Sequence, residues 1–302
     1  MLADLVDLLR CPVCGESLAK AGGSLRCPAG HSFDVARQGY VNLVPGRADS
    51  PEMVEAREAF LRAGHFRPLS TALAEEAASI APAGASIAEA GAGGAGAEAG
   101  GGGVVVDLGA GTGRHLAAVL DALPAARGIA IDASPAALRR AARSHERAAA
   151  IGADAWRPLP LCDGIATIVL SVLAPRNAEE IARVLAPPDA GPAGPGAGGV
   201  LLAVTPTTRH LHELVGPLGL LSVPDDKEDR LDAQLAGHFE LTRRRTIEHA
   251  MFLTSEESAQ LVRMGPSAWH VDERAVGERL AALPDPLTVT ASTTISVFAP
   301  RR

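Results

Sequence analysis

Val104-Val-Val-Asp107-Leu-Gly109-Ala-Gly111-Thr112-Gly113-Arg114-His115 is the stretch whose reading decides the fold. The valines and Leu108 form a buried strand, the alternate glycines form a turn, and apolar residues then recur at helical spacing through Leu123. A strand running into a glycine turn and a helix makes a nucleotide-type crevice at the carboxyl end of the first strand of an open α/β sheet. A dinucleotide fingerprint would need G-x-G-x-x-G, and Arg114 stands where its third glycine would fall. What remains is G-x-G-x-G preceded by Asp107, a carboxylate suited to a positively charged ligand without a pyrophosphate.

This arrangement resembles the first motif of S-adenosylmethionine (AdoMet)-dependent methyltransferases. AdoMet carries an ammonium and a sulfonium, which favour Asp107 nearby. A second acid should end the next strand and receive the ribose hydroxyls, and Gly128-Ile-Ala-Ile-Asp132 ends in one. The segment 149–156 resembles the third strand and its loop, where related enzymes hold adenine through an acid and a backbone amide, here Asp154 and Ala155. Strand four is expected over 163–171, running into Val172-Leu-Ala-Pro175, and strand five over 199–205. The alternating segments 239–249 and 287–298 read as an antiparallel edge pair, with Arg243 to Arg245 on a solvated edge. The expected fold is therefore α/β: a Rossmann-like class I AdoMet-dependent methyltransferase domain, its seven-stranded sheet ending in antiparallel strands.

Composition bounds the rest. A chain of 302 residues, 47% hydrophobic and 21% charged, predicts roughly two globular domains. No apolar run approaches the ~20 residues that span a bilayer, and Asp4 and Asp7 replace the basic region of a signal peptide. The expectation is an intracellular, cytoplasmic protein without membrane contact. Fourteen of the 32 glycines fall in two Gly/Ala-rich inserts, Gly84 to Gly103 and Gly191 to Gly199, which read as flexible connections. Arginine supplies 26 of the 28 basic side chains, so a lone Arg carries little functional weight. The net charge of −7 argues against non-specific coating of nucleic acid, yet five basic residues face two acids between Arg10 and Arg47.

Three of the four cysteines fall within the first 27 residues. Cys11-Pro-Val-Cys14 and Cys27-Pro-Ala-Gly-His31 make Cys-x2-Cys and Cys-x3-His pairs, and each tight turn can offer two ligands to a tetrahedral zinc. Four protein ligands leave no open position, so the metal is expected to be structural. Spacing alone does not choose among RNA, DNA and protein as the partner of such a knuckle.

With knuckle and AdoMet domain in this order, the chain resembles the 23S rRNA (guanine-N1)-methyltransferases, including those that confer resistance to tylosin-type macrolides. The resemblance rests on the zinc pairs; on Phe33-Asp34, Gly39-Tyr40-Val41-Asn42-Leu43; and on Glu52-Met53, Ala56-Arg57, Phe60-Leu61, Gly64-His65-Phe66 and Pro68-Leu69 of a linker helix. Thr205-Pro206, Arg209-His210-Leu211, Met264, Pro266 and Trp269 complete it. It implies a guanine target in a 23S rRNA hairpin near the peptide exit tunnel, and a homodimer whose two copies form a wide RNA cleft. AdoMet contacts are implied at Phe66, at Thr112 to Arg114 and at His210; family members often carry Tyr at Phe66, so a hydroxyl is lost there. The expected organisation is a zinc-binding RNA-recognition domain over 1–45, a linker helix over 46–80, the insert over 81–103, and the methyltransferase domain over 104–302.

AdoMet is already an activated donor, so the protein must mainly orient guanine N1 and exclude water. No general base stands out. His210 is a candidate whose cofactor contact is the simpler reading, and Arg176 and Asn177 either address the base after strand four or form a turn and helix cap. The alternatives are a small-molecule methyltransferase with a zinc appendage and a non-catalytic RNA-binding relative.

Overall fold

The computed structural model describes residues 2–46, 48–80, 103–187, 198–265 and 272–301. Most of both Gly/Ala-rich inserts, together with Pro266 and Trp269, lie outside the described residues.

After two short 3-10 turns (Leu2–Asp4 and Val6–Leu8) comes a three-stranded antiparallel sheet, β1 (Ala19–Ala21), β2 (Ser24–Arg26) and β3 (Ser32–Asp34), whose flanking turns carry the two ligand pairs. A fourth strand, β4 (Val41–Asn42), leaves this unit and joins the edge of the main sheet. Helix α1 (Pro51–Ala63) then begins where the Ser50 hydroxyl accepts the Met53 N–H and Pro51 occupies the first turn, and it stops at Gly64 with φ of 91°. Helix α2 (Arg67–Ile80) follows at once, burying Leu69 and Leu73.

The methyltransferase portion alternates strand and helix except between β7 and β8: β5 (Val104–Leu108), α3 (Arg114–Ala122), β6 (Arg127–Asp132), α4 (Pro135–Ala141), β7 (Ala148–Gly152), β8 (Ile168–Val172), α5 (Ala178–Val184) and β9 (Val200–Pro206). Helices α6 (His212–Leu218) and α7 (Lys227–Leu235) lead to β10 (Phe239–Leu253), α8 (Ser255–Met264), α9 (Glu273–Leu280) and β11 (Leu287–Pro300). The eight-stranded order is β10-β11-β9-β8-β5-β6-β7-β4, parallel from β9 to β4, with β11 antiparallel to both neighbours. Seven of these strands have the expected arrangement. β4, only two residues long, is the eighth, and its pairing with Ile151 and Gly152 left no alternation to read.

β5 reads as a continuous apolar run because both faces are covered. Val104, Val106 and Leu108 pack on one side with Leu5, Leu9, Leu25 and Cys27 of the N-terminal unit; Val105 packs on the other with Leu69, Leu73 and Leu116 of α2 and α3. The zinc unit thus shares a buried cluster with the sheet, and Leu9 also bridges Leu161. The arginines of β10 are not a bare solvated edge: Arg243 pairs with Glu76, Arg244 with Asp232 and Arg245 with Glu75, bracing α2 and α7. Among the described residues, no helix is long and apolar enough to cross a membrane.

Candidate cofactor crevice and zinc site

β5 neighbours β6 on one side and β8 on the other, so the strand order reverses there and a crevice opens at the carboxyl ends. Gly109, Gly111 and Gly113 take φ values of 67°, 56° and 79°, which side chains rarely adopt. A Cβ on Gly109 would also lie 2.7 Å from that of Ala174, so the turn sits directly against the loop after β8. Asp132 closes the far wall: its carboxylate accepts the Gly111 and Ser134 N–H groups, each at 2.8 Å. Burial, and then the facing Asp132, push Asp107 up to about 8. Burial also raises Asp132, against the pull of its two backbone donors and of Arg57. Two buried acids in this state suit a ligand offering positive charge and hydroxyls. The Thr112 hydroxyl, buried without a hydrogen-bond partner among the described residues, leaves a further polar atom for it. The crevice therefore fits AdoMet, which carries both positive charge and hydroxyls.

Arg114 opens α3 and pairs with Glu58 of α1, which ties the turn to the linker helix. Asp154 follows β7, its carboxylate accepting the Trp156 N–H at 3.0 Å and so shaping the turn through Ala155. A Cβ on Gly46 would come 2.7 Å from that of Asp154, placing the linker against this corner.

Phe66 and His210 meet as stacked rings 6.1 Å apart, and the Phe66 ring also meets Phe60 edge-on. His210 Nδ1 accepts the Ser292 N–H at 3.1 Å, and burial pushes its imidazole down to about 4. With that lone pair engaged, the neutral ring carries its proton on Nε2. His210 is thus a hydrogen-bond donor through Nε2 and has no free lone pair with which to act as a base.

Asn177 and Arg176 separate. Asn177 caps α5, its side chain accepting the Glu180 N–H, while its amide donates to the Trp156 carbonyl. Arg176 is buried, donates through Nη2 to the Val204 carbonyl at 2.8 Å, and has no acidic partner among the described residues. Its Nε has no hydrogen-bond partner among the described residues, and burial lowers the guanidinium pKa to about 10. The adjoining backbone is strained: Leu173 has φ of 53° and exposes 43% of its surface.

The four zinc candidates converge, their ligand atoms all lying within 4.8 Å of one another. Cys11 Sγ to His31 Nδ1 is 3.6 Å, Cys14 Sγ to Cys27 Sγ 3.6 Å and Cys27 Sγ to His31 Nδ1 3.3 Å. A zinc with sulfur at about 2.3 Å has tetrahedral edges of about 3.5 to 3.8 Å, so the donor set fits one structural zinc with little movement. A cavity of about 770 Å³ lies elsewhere, between Lys20 and Gly22 of the ribbon and Arg143 and Glu146 before β7.

Sequence reasoning missed the cover of the crevice. Arg57, Glu58 and Asp49 reach the glycine turn from the linker, and the only signal for this was the block of residues from Glu52 to Phe66.

Comparison with known proteins agrees with this geometry. A family profile described as "RlmA, N-terminal", a zinc ribbon, matches residues 9–49, and one described as "Methyltransferase domain" matches residues 105–188. Sheet order, crevice and metal cluster together define the class: an AdoMet-dependent methyltransferase with an N-terminal zinc ribbon. A protein of Micromonospora griseorubida, named as a candidate 23S rRNA (guanine-N(1)-)-methyltransferase, is 49% identical over 99% of this chain and all of its own length. The 23S rRNA (guanine(748)-N(1))-methyltransferase of Streptomyces fradiae is 45% identical over 99% of each chain. The chain belongs to the 23S rRNA (guanine-N1)-methyltransferase family. Among solved structures, a chain from the complex of the Haloferax volcanii Trm112 methyltransferase activator with its candidate methyltransferase shares the fold, with a TM-score of 0.50 at 19% identity over 85% of this chain and all of its own.

Proposed function

We propose that this protein transfers the methyl group of AdoMet to N1 of one guanine in a 23S rRNA hairpin near the peptide exit tunnel, in the cytoplasm and as a homodimer, and that this confers resistance to tylosin-type macrolides. The observation that carries the reading is the chain-long similarity to the Streptomyces fradiae enzyme together with an intact crevice at Asp107, Gly109, Gly111, Thr112, Gly113, Arg114 and Asp132.

AdoMet supplies a methyl group already activated by its sulfonium. The residues of this chain bind and orient. Asp132 suits the ribose, Asp154 and the Ala155 amide the adenine, and Phe66 and the Nε2–H of His210 the remainder of the cofactor. N1 lies on the Watson–Crick edge, so the guanine must leave its stack, at a cost of a few kcal/mol that a loop target reduces. Arg176, a buried cation without an acidic partner among the described residues, lies beside the strained loop after β8 and suits guanine O6 and N7, the acceptor pair that arginine reads most often. The N1 proton must leave as the N–C bond forms, and His210, with no free lone pair, does not take it.

Incubation with methyl-labelled AdoMet and deproteinised 23S rRNA tests this. Label in the RNA, with reverse transcription stopping at a single guanine, is expected; absence of label from RNA overturns the reading. Arg176→Gln should lower turnover on rRNA about tenfold or more while leaving AdoMet affinity unchanged.

A further inference from the structure

Arg57 contributes to none of the cofactor contacts above, yet it joins three distant segments at the glycine turn. From α1 its Nη1 pairs with Asp49 Oδ2 at 2.7 Å, and its Nη2 donates to the Met264 carbonyl at the end of α8, at 2.9 Å. A Cβ on Gly111 would meet its Cδ at 3.3 Å, so the side chain arches over the middle of the turn. Asp49 is held from the other side as well, its carbonyl accepting the Ser134 hydroxyl at 3.0 Å just after β6. The next residue on the helix, Glu58, holds Arg114. The linker thus crosses the mouth of the crevice from Gly46, against Asp154, to Asp49, against Ser134, and Arg57 fastens it there.

We propose that Arg57 is a positioning residue for the cofactor: it seats helix α1 over Gly111 and Asp132, so that AdoMet binding depends on where this helix sits. The inference rests on the reading that this crevice takes AdoMet. A planar guanidinium can bridge a carboxylate and a carbonyl at once, whereas an ammonium supplies charge without the fixed fork. The charged groups acting on Asp132 are Asp49 from the linker and Arg57 from α1, with Asp107 of β5 coupled to it; Arg57 favours its ionised form.

The test is AdoMet affinity by isothermal titration on the zinc-loaded full chain, for wild type, R57K, R57Q and D49N, between pH 6 and 9. R57Q should bind about tenfold more weakly or worse, and its loss should deepen as pH falls, because Asp132 then takes up its proton at higher pH than in wild type. R57K should recover part of the affinity, and D49N should weaken it by breaking the same bridge from the linker side. The double variant should be no worse than R57Q alone. Unchanged affinity in R57Q, or a loss equal at every pH with R57K no better than R57Q, overturns the proposal. Should R57Q fail to fold, D49N with wild-type affinity overturns it equally. Absence of AdoMet binding by wild type would overturn the cofactor reading and this inference together, whereas wild-type binding with an indifferent R57Q removes this inference alone.

Discussion

Cys11 and His31 stand 20 positions apart and meet through two tight turns, whereas the crevice at Gly111 depends on a contact between Arg57 and Met264, 207 positions apart. In the first region each ligand pair is nearly complete within one turn, so spacing alone describes the site. In the second, a local turn supplies the floor, and the walls and cover arrive from β6, the linker and the end of α8. Metal binding can drive local folding. The crevice instead inherits its shape from the packed sheet.

The sharpest way to separate the two regions is to remove the metal. Cys27→Ser or exhaustive chelation should take zinc content from one per chain to none and forfeit an apparent binding free energy of about 10–16 kcal/mol. Hydrogen exchange over residues 9–42 should then accelerate and methylation of rRNA should be lost, with AdoMet affinity unchanged within about threefold. If AdoMet affinity collapses too, the buried cluster that Leu9, Leu25 and Cys27 share with Val106 and Leu108 makes the regions one unit.

A smaller effect breaks the other region. Asp132→Ala should weaken AdoMet binding on the order of 10- to 100-fold, the worth of hydrogen bonds to a charged group, while zinc remains bound. Asp107→Asn should weaken it similarly without lowering the melting temperature of the ligand-free protein, since it removes a buried carboxylate that lacks a partner cation among the described residues.

Proton linkage sharpens the same comparison. Asp107 has a pKa of about 8 in the ligand-free fold, above the ordinary carboxylate value of 3.8, so the fold favours its neutral form. Its contribution to stability is therefore fully present below the unfolded value and declines as pH rises toward 8. A cationic ligand favours the charged form, so AdoMet binding near pH 7 should release up to about one proton, falling to none well above pH 8. Titration calorimetry in buffers of different ionisation enthalpy would measure this; zero release at pH 7 would mean that Asp107 is already ionised.

The smallest expected effect concerns Asn177. Loss of an N-cap costs about 1 kcal/mol, so Asn177→Ala should lower stability by that amount in thermal or urea unfolding and leave turnover on rRNA unchanged. A large fall in turnover would return Asn177 to the acceptor site.

Much of the fold was legible because β5 to β9 alternate with helices everywhere except between β7 and β8, with the glycine turn and Asp132 at predictable places. β4 was not, because two residues have no period. The pairing of Arg243, Arg244 and Arg245 with acids on α2 and α7 was equally hidden, since an alternating strand does not say what lies beside its exposed face. Of the acceptor candidates, residue type alone left Asn177 and Arg176 equivalent; hydrogen bonds made one a cap and the other a buried cation.

By itself the sequence determined the Cys/His pairs that cluster, the class of sheet and the positions of Asp107 and Asp132 at the ends of β5 and β6, because each is set by residues a turn or one strand–helix unit apart, where chain geometry leaves few alternatives. Only the tertiary structure decided that His210 is a donor, because its lone pair is consumed by the amide of Ser292, 82 positions away. The cover over the glycine turn has the same origin: Arg57 acquires its position from Asp49 and Met264 together, and no local pattern encodes a contact that exists only once the sheet has packed.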